Sequence, residues 1–114
     1  MPLEPLLEKL KTNFSAVEFD EVITAIDSSY DFTPSPFTNG TLVNKADENS
    51  GSCKIFAFAK LHKLSGQQTL HCFGDYYRKD VLDNPQGKSH QNIRNFMNTG
   101  WAGISFQENP LSLR

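Results

Sequence analysis

The sequence predicts an α+β fold, mainly helical, with about five helices and a small sheet from short strands near 37–43 and 103–106. Three observations lead there. Apolar residues recur at helical spacing over most of the chain. That period disappears from Asp31 to Ser52, where Pro34 and Pro36 exclude a helix. Ile104-Ser105-Phe106, after the last helical pattern, alternates like a strand. At 114 residues the chain, 1–114, reads as one domain, large enough to bury about two thirds of the surface its unfolded form exposes.

Leu3, Leu6, Leu7, Leu10 and Phe14 fall at i, i+3, i+4, i+7 and i+11, with Glu4, Glu8, Lys9 and Lys11 on the other side. This spacing predicts a first amphipathic helix with one buried stripe. Ser15-Ala16-Val17-Glu18 has the form of a capping box, in which serine oxygen and glutamate carboxylate satisfy first-turn amides, so a second helix is expected to start there. Phe19, Val22, Ile23, Ile26 and Tyr30 form its apolar stripe, and Glu18, Asp20, Glu21 and Asp27 a solvated acidic face. Between Asp31 and Ser52 short strands at most are expected, with Asn39-Gly40 as a hairpin-turn signal. A connection longer than about 15 residues is uncommon in a compact domain and often functional, so this segment is the first place to look for a site.

A third helix, Cys53 to about Leu64, contains Ile55-Phe56-Ala57-Phe58-Ala59, apolar all round, and belongs at the centre of the fold. Lys60, His62 and Lys63 gather in its last turn, where positive charge suits the helix dipole. Ser65-Gly66-Gln67-Gln68 offers a second capping box, opening a fourth helix that buries Leu70, Phe73, Tyr77 and Val81 and ends at the turn Asn84-Pro85-Gln86-Gly87. The fifth helix has Ile93, Phe96 and Met97 as its buried edge and Gly100 as its stop. The strand Ile104-Ser105-Phe106 is placed to pair with the segment around Thr41 to Val43.

Asn92, Asn95 and Asn98 recur every three residues in that fifth helix, although each costs roughly 0.6 kcal/mol there relative to alanine. Something should offset the cost. An asparagine side chain carries both donor and acceptor and can satisfy backbone of either kind, and the irregular segment 31–52 has much backbone to satisfy. Asn92 and Asn95 are therefore expected to pin that segment. Ligand contact is the other reading, and the two can coexist in one groove wall: Asn39, Asn92, Asn95, Arg94, Tyr76 and Trp101 are the candidate ligand-binding residues.

Charge is uneven. Residues 1–50 carry nine acids against three bases and residues 51–114 four against eight, which predicts that an acidic half lies beside a basic half. A pI near 5.8 gives nucleic acid no general footing. Cys53 and Cys72, flanked by Ile55, Phe56 and Phe73, fit no dense disulfide scaffold and read as reduced, packed thiols of a cytoplasmic protein. The N-terminus has no basic region leading into an apolar run, and no eighteen apolar residues occur in succession, so neither a signal peptide nor a membrane span is expected.

Chemistry-bearing constellations are few. His62, His71, Cys72 and His90 lack the paired short spacings of zinc sites, and Asp47-Glu48-Asn49-Ser50-Gly51 would put Phe58 where a calcium loop needs an acid; no metal and no cofactor is expected. His71, Asp75 and Lys79, at i, i+4 and i+8, read as an exposed ion-pair ladder. Gly51-Ser52-Cys53 opening a helix is similar to the nucleophile segment of papain-like proteases, and a thiol there has its thiolate favoured by the dipole. That family places its histidine some 130 residues downstream, farther than this chain extends, so Cys53 reads as a buried cysteine, with His90 and His62 the partners to consider if it were catalytic.

FTNG (37–40), NSGSCKIFAFAKLH (49–62), QQTLHCFGDYYR (67–78) and HQNIRNFMNTGW (90–101) together resemble the HopJ type III effector family, small bacterial proteins named from a plant-pathogen effector. The resemblance spans about residues 30 to 106. It implies secretion by a type III system, whereas residues 3–14 read as a packed helix rather than a serine-rich flexible leader, which points to the cytoplasm. The family has no established catalytic residues or ligand to carry over. The expected function is a small binding or interaction module for a protein or small-molecule ligand. The alternatives are an enzyme using Cys53 with a histidine, and a nucleic-acid binder using Lys54, Lys60, Arg78, Lys79 and Arg94.

Overall fold

The N-terminal apolar stripe folds as α1 (Glu4–Thr12), burying Leu6 and Leu10; the computed structural model describes residues 3–113. Ser15 does not cap a helix, and the capping box is Glu18 with Glu21 instead. Phe14–Ala16 is a single 3-10 turn and Val17 is extended, because only an extended residue there delivers the Val17 side chain into the core, where it is fully buried. The second helix, α2 (Phe19–Ser29), starts after it with Glu18 at the N-cap, whose amide donates to the Glu21 carboxylate at 3.1 Å.

The all-apolar helix is α3 (Ser50–Leu61), central as expected: the Phe56 ring meets those of Phe37, Phe73, Phe96 and Trp101. It begins three residues before Cys53 and stops short of Leu64, with Lys63 in the left-handed region at φ 55°. The capping box at α4 (Gly66–His71) is present, with Gln68 N–H donating to Ser65 Oγ at 3.1 Å and Ser65 N–H to Gln68 Oε1 at 2.8 Å. The single fourth helix is not. The chain turns at Gly74 (φ 61°) and resumes as a π-helical segment, Tyr76–Val81. Leu70, Phe73, Tyr77 and Val81 are nevertheless all buried. In α5 (Gln91–Thr99) the buried face is Asn92, Ile93 and Phe96. Met97 is 44% exposed, correcting the expected edge: an asparagine takes the inward position and the methionine faces out. Gly100 (φ 59°) stops the helix as expected.

After β1 (Tyr30–Phe32), three strands make the main sheet: β2 (Phe37–Asn39), β3 (Leu42–Asn44) and β4 (Ile104–Phe106), in the order β3-β2-β4 and antiparallel throughout. β4 therefore pairs with 37–39 rather than with 41–43. The hairpin is also one residue later than its sequence signal. Asn39 faces Leu42 in the register, so the two-residue loop is Gly40-Thr41, with the positive φ at Gly40 (63°), where a II′ turn wants its glycine. A one-residue shift exchanges the two faces of a strand, and this register puts the Asn39 side chain wholly inside. A second sheet, β1 (Tyr30–Phe32) with β5 (Leu111–Leu113), pairs Tyr30 with Leu113; three residues each give no readable period, and the sequence did not reveal it. The two charge halves meet at Lys54 and Asp27, 2.9 Å apart.

Candidate functional site

The asparagines of α5 bind the hairpin. Asn39 Nδ2 donates to Asn92 O at 2.8 Å and to Asn92 Oδ1 at 3.0 Å. Asn92 and Asn44 exchange side-chain bonds, Nδ2 to Oδ1 in both directions, at 3.0 and 3.1 Å. Asn49 Nδ2 extends the chain of amides to Asn44 Oδ1 at 2.7 Å, and Asn95 Nδ2 donates to Asn39 O at 3.0 Å. Asn39, Asn44 and Asn92 are buried, so each bond removes a desolvation penalty of about 1–3 kcal/mol that an orphaned group would carry. Asn44 and Asn49 escaped the sequence reading. The signal was there in the spacing: Asn39 faces Leu42 and Asn44 faces Phe37 in the register, so the two asparagines are diagonal neighbours on one face of the hairpin.

This network ends at a cleft of about 610 Å³ between the first turns of α3 and α5. Both helices begin in an unusual way. Their N-cap residues, Asn49 and His90, are left-handed (φ 51° and 54°), and neither caps its helix with its side chain. The first-turn amides of a helix have no intrahelical partner, and a left-handed residue leading into a helix makes successive N–H groups converge. Gly51 and Ser52 of one turn and Gln91 and Asn92 of the other line the same cavity. Phe19, Phe73 and Tyr76 supply its aromatic wall, with Tyr76 set edge-on to Phe19 at 5.1 Å and 5.2 Å from the His90 ring. His90 Nε2 lies 3.2 Å from Asp80 Oδ2.

Of the residues singled out in the sequence, Tyr76, Asn92 and His90 come together here. Asn39 and Asn95 stand behind the cleft in the amide network. Arg94 lies elsewhere, with Nε donating to Ser89 O and Nη1 to Asn84 O at 2.9 Å, where it holds the turn before α5. Trp101 also lies elsewhere: its indole N–H donates to Leu64 O at 3.1 Å, and it walls a separate cleft with Lys60 and Lys63.

Cys53 is buried, its thiol donating to Ser35 O at 3.7 Å. Burial pushes its pKa up. The Cys72 thiol, also buried, is pushed up to about 12 by desolvation. His62 Nε2 sits 2.7 Å from the Tyr30 hydroxyl, and burial lowers its pKa. His71 corrects the expected ladder. Because the helix breaks at Gly74, Asp75 meets Lys79 (3.6 Å) and Arg78 (3.8 Å), while His71 is buried and stacked on Phe14 at 4.6 Å. Arg78 Nη1 faces His71 Nδ1 at 3.1 Å. A guanidinium only donates, so Nδ1 accepts and the ring hydrogen is on Nε2; Gln67 Nε2 stands 2.9 Å from that atom, and the Gln67 side chain accepts from it when its amide is turned to present Oε1. Burial and the nearby Arg78 charge both hold the His71 pKa down. Among the described residues no three His, Cys, Asp or Glu side chains are grouped to hold a metal ion, and no helix is long and apolar enough to cross a membrane.

Comparison with known proteins places the chain in a family. The chain is similar over its whole length to a protein of unknown function, VPA0580, whose crystal structure superposes with a TM-score of 0.98 at 49% sequence identity, covering 100% of this chain and 95% of that one. No curated protein matches it. The family model described as HopJ type III effector protein matches residues 3–111, and the chain belongs to that family.

Proposed function

We propose that this member of the family is a small binding module, acting in the bacterial cytoplasm and working by docking a ligand rather than by chemistry of its own. The observation that carries the reading is that two uncapped helix first turns, from α3 and α5, open on one cleft with an aromatic wall. Such a cleft suits a ligand with an acidic group for the free amides and an apolar body for Phe19, Phe73 and Tyr76. The amide network behind it fixes Asn92 and Asn49 and so holds both turns in place before a ligand arrives, which lowers the ordering cost of binding.

Titration of ¹⁵N-labelled protein with phenyl phosphate tests this. Saturable shifts at the Gly51, Ser52, Gln91 and Asn92 amides are expected, with weaker binding in Tyr76→Ala, whose ring is 45% exposed and dispensable to the core. No saturation by about 10 mM, weaker than even a low-affinity fragment, or shifts confined to other surfaces, would remove the reading.

A further inference from the structure

The central sheet leaves one edge open beside a cationic groove. In β4 the Gly103 carbonyl accepts from Gly40 N–H at 2.9 Å, which fixes the alternation of an antiparallel ladder: residues 103 and 105 turn their backbone groups toward β2, and residues 104 and 106 turn theirs away. The Ile104 N–H is taken by Trp101 O. The Ile104 carbonyl and the Phe106 N–H and carbonyl therefore face outward at the edge, next to no further strand of the sheet.

Two clefts flank this edge. One, of about 410 Å³, lies among Ile104, Trp101, Leu64, Lys60 and Lys63. The other, of about 490 Å³, lies between Phe106 and α3 at Ala57, Lys60 and Leu61. Lys60 is common to both, its ammonium 5.8 Å from the centre of the Phe106 ring. Lys60 and Lys63 are exposed, and among the described residues neither is in an ion pair. They sit at the carboxyl end of α3, where the dipole favours them without neutralising them. Against these two ammonium groups the described residues lining the clefts set one carboxylate, Glu108. Trp101 is a rigid wall, anchored by its bond to Leu64 and packed edge-on against Phe56 and Phe96.

We infer that the β4 edge is a docking surface for an extended acidic peptide of a partner protein, which adds as a further strand. Its backbone pairs with the Phe106 N–H and carbonyl and the Ile104 carbonyl. Its carboxylates reach Lys60 and Lys63, and an apolar side chain enters the cleft under Trp101. This is strand addition with main-chain bonds for affinity and alternate side chains for choice of sequence, and it is separate from the cleft between α3 and α5.

The test uses an end-blocked peptide of alternating Glu and Val, the same peptide N-methylated at alternate residues, and its Lys-for-Glu counterpart. Each is titrated into ¹⁵N-labelled full-length protein. Saturable shifts are expected for the acidic peptide at Ile104, Ser105 and Phe106 and at the Trp101 indole N–H. Binding should be at least about fivefold weaker for the N-methylated and Lys peptides, and for Lys60→Glu/Lys63→Glu protein, as charge-assisted contacts at a rim allow. Both lysines are exposed, so the variant keeps its fold, checked by an unchanged denaturation midpoint. No saturable shift by about 1 mM, equal binding of acidic and Lys peptides, shifts that map to residues 49–52 and 90–92, or self-association through this edge in place of peptide binding would each overturn the inference.

Discussion

Asn44 and Asn92 exchange side-chain amide hydrogen bonds in both directions, at 3.0 and 3.1 Å, across 48 positions of sequence. A reciprocal pair of this kind fixes distance and orientation together, so α5 is held to the hairpin in one register. On β2, the middle strand, Asn39 Nδ2 donates to Asn92 O and Asn95 Nδ2 donates to Asn39 O. The helix-propensity cost of Asn92 and Asn95 is thus offset by bonds that no apolar residue could make, whereas Asn98 is exposed.

Gly74 and Gly100 should respond differently to the same substitution. Both have a positive φ, 61° and 59°, and Gly100 combines it with ψ −152°, a region nearly confined to glycine that costs an alanine about 1–3 kcal/mol. An added Cβ at Gly100 meets nothing within 4 Å, while at Gly74 it would stand 2.7 Å from the Phe19 backbone nitrogen. Gly100→Ala should therefore lose about 1–3 kcal/mol from backbone strain alone, and Gly74→Ala more, about 3 kcal/mol or above, because the clash with α2 adds to its strain. Urea denaturation of the two variants checks this, and equal losses would show that α2 does not bear on the turn at Gly74.

Acid should destabilise the fold through His71. Its folded pKa is held below the ordinary value of 6.5 by burial and by Arg78. Above pH ~6.5 the ring is neutral in folded and unfolded chains alike. Below it the unfolded chain takes up a proton that the folded ring refuses, so stability falls as pH drops from about 6.5 toward the folded pKa. His62, lowered by burial, acts in the same direction. The check is the ring ¹³C shift of His71 followed against pH, with the urea midpoint of wild type and His71→Gln at pH 7 and pH 5. A titration midpoint below 6.5 and a smaller acid loss in the variant are expected; a midpoint at or above 6.5 contradicts the assigned neutral ring.

Cys53 should alkylate slowly. It lies in the first turns of α3, where the dipole favours thiolate, but desolvation is the larger influence and raises its pKa. In Cys72→Ser protein, iodoacetamide should react in the native state at a rate well below that of a free thiol and rise only above about pH 9. Rapid alkylation already at pH 6 would bring forward an enzyme using Cys53, with His90 and then His62 as the partners to mutate.

What could be read from the sequence follows from the length scale of each signal. Helices announce themselves over three turns, so α1, α3 and the stripe of α2 were legible, as was the capping box at Ser65 and the stop at Gly100. Their boundaries were set by packing the sequence does not display: Val17 had to enter the core extended, and Gly74 had to pass against α2. The three-residue strands β1 and β5 have too little period to read, and the Asn39-Gly40 turn signal was one residue off because burying the Asn39 amide chose the register. At the candidate site, Tyr76, Asn92 and His90 were singled out by type and met in space. Arg94 and Trp101 were not at that cleft, since a guanidinium and an indole N–H are as readily used to hold carbonyls of a neighbouring turn.

The central claim is that buried amides pin the hairpin to α5, and a double-mutant cycle on Asn44 and Asn92 tests it most directly. Free energies of unfolding are measured in urea for Asn44→Ala, Asn92→Ala and the pair. Each single change orphans buried partners and should cost about 2–4 kcal/mol for the two or more bonds lost, although alanine at 92 gains roughly 0.6 kcal/mol of helix propensity. The double variant should cost little more than one single, leaving a coupling of about 1–3 kcal/mol. Strictly additive losses, or an Asn92→Ala protein as stable as wild type or more so, would contradict the account.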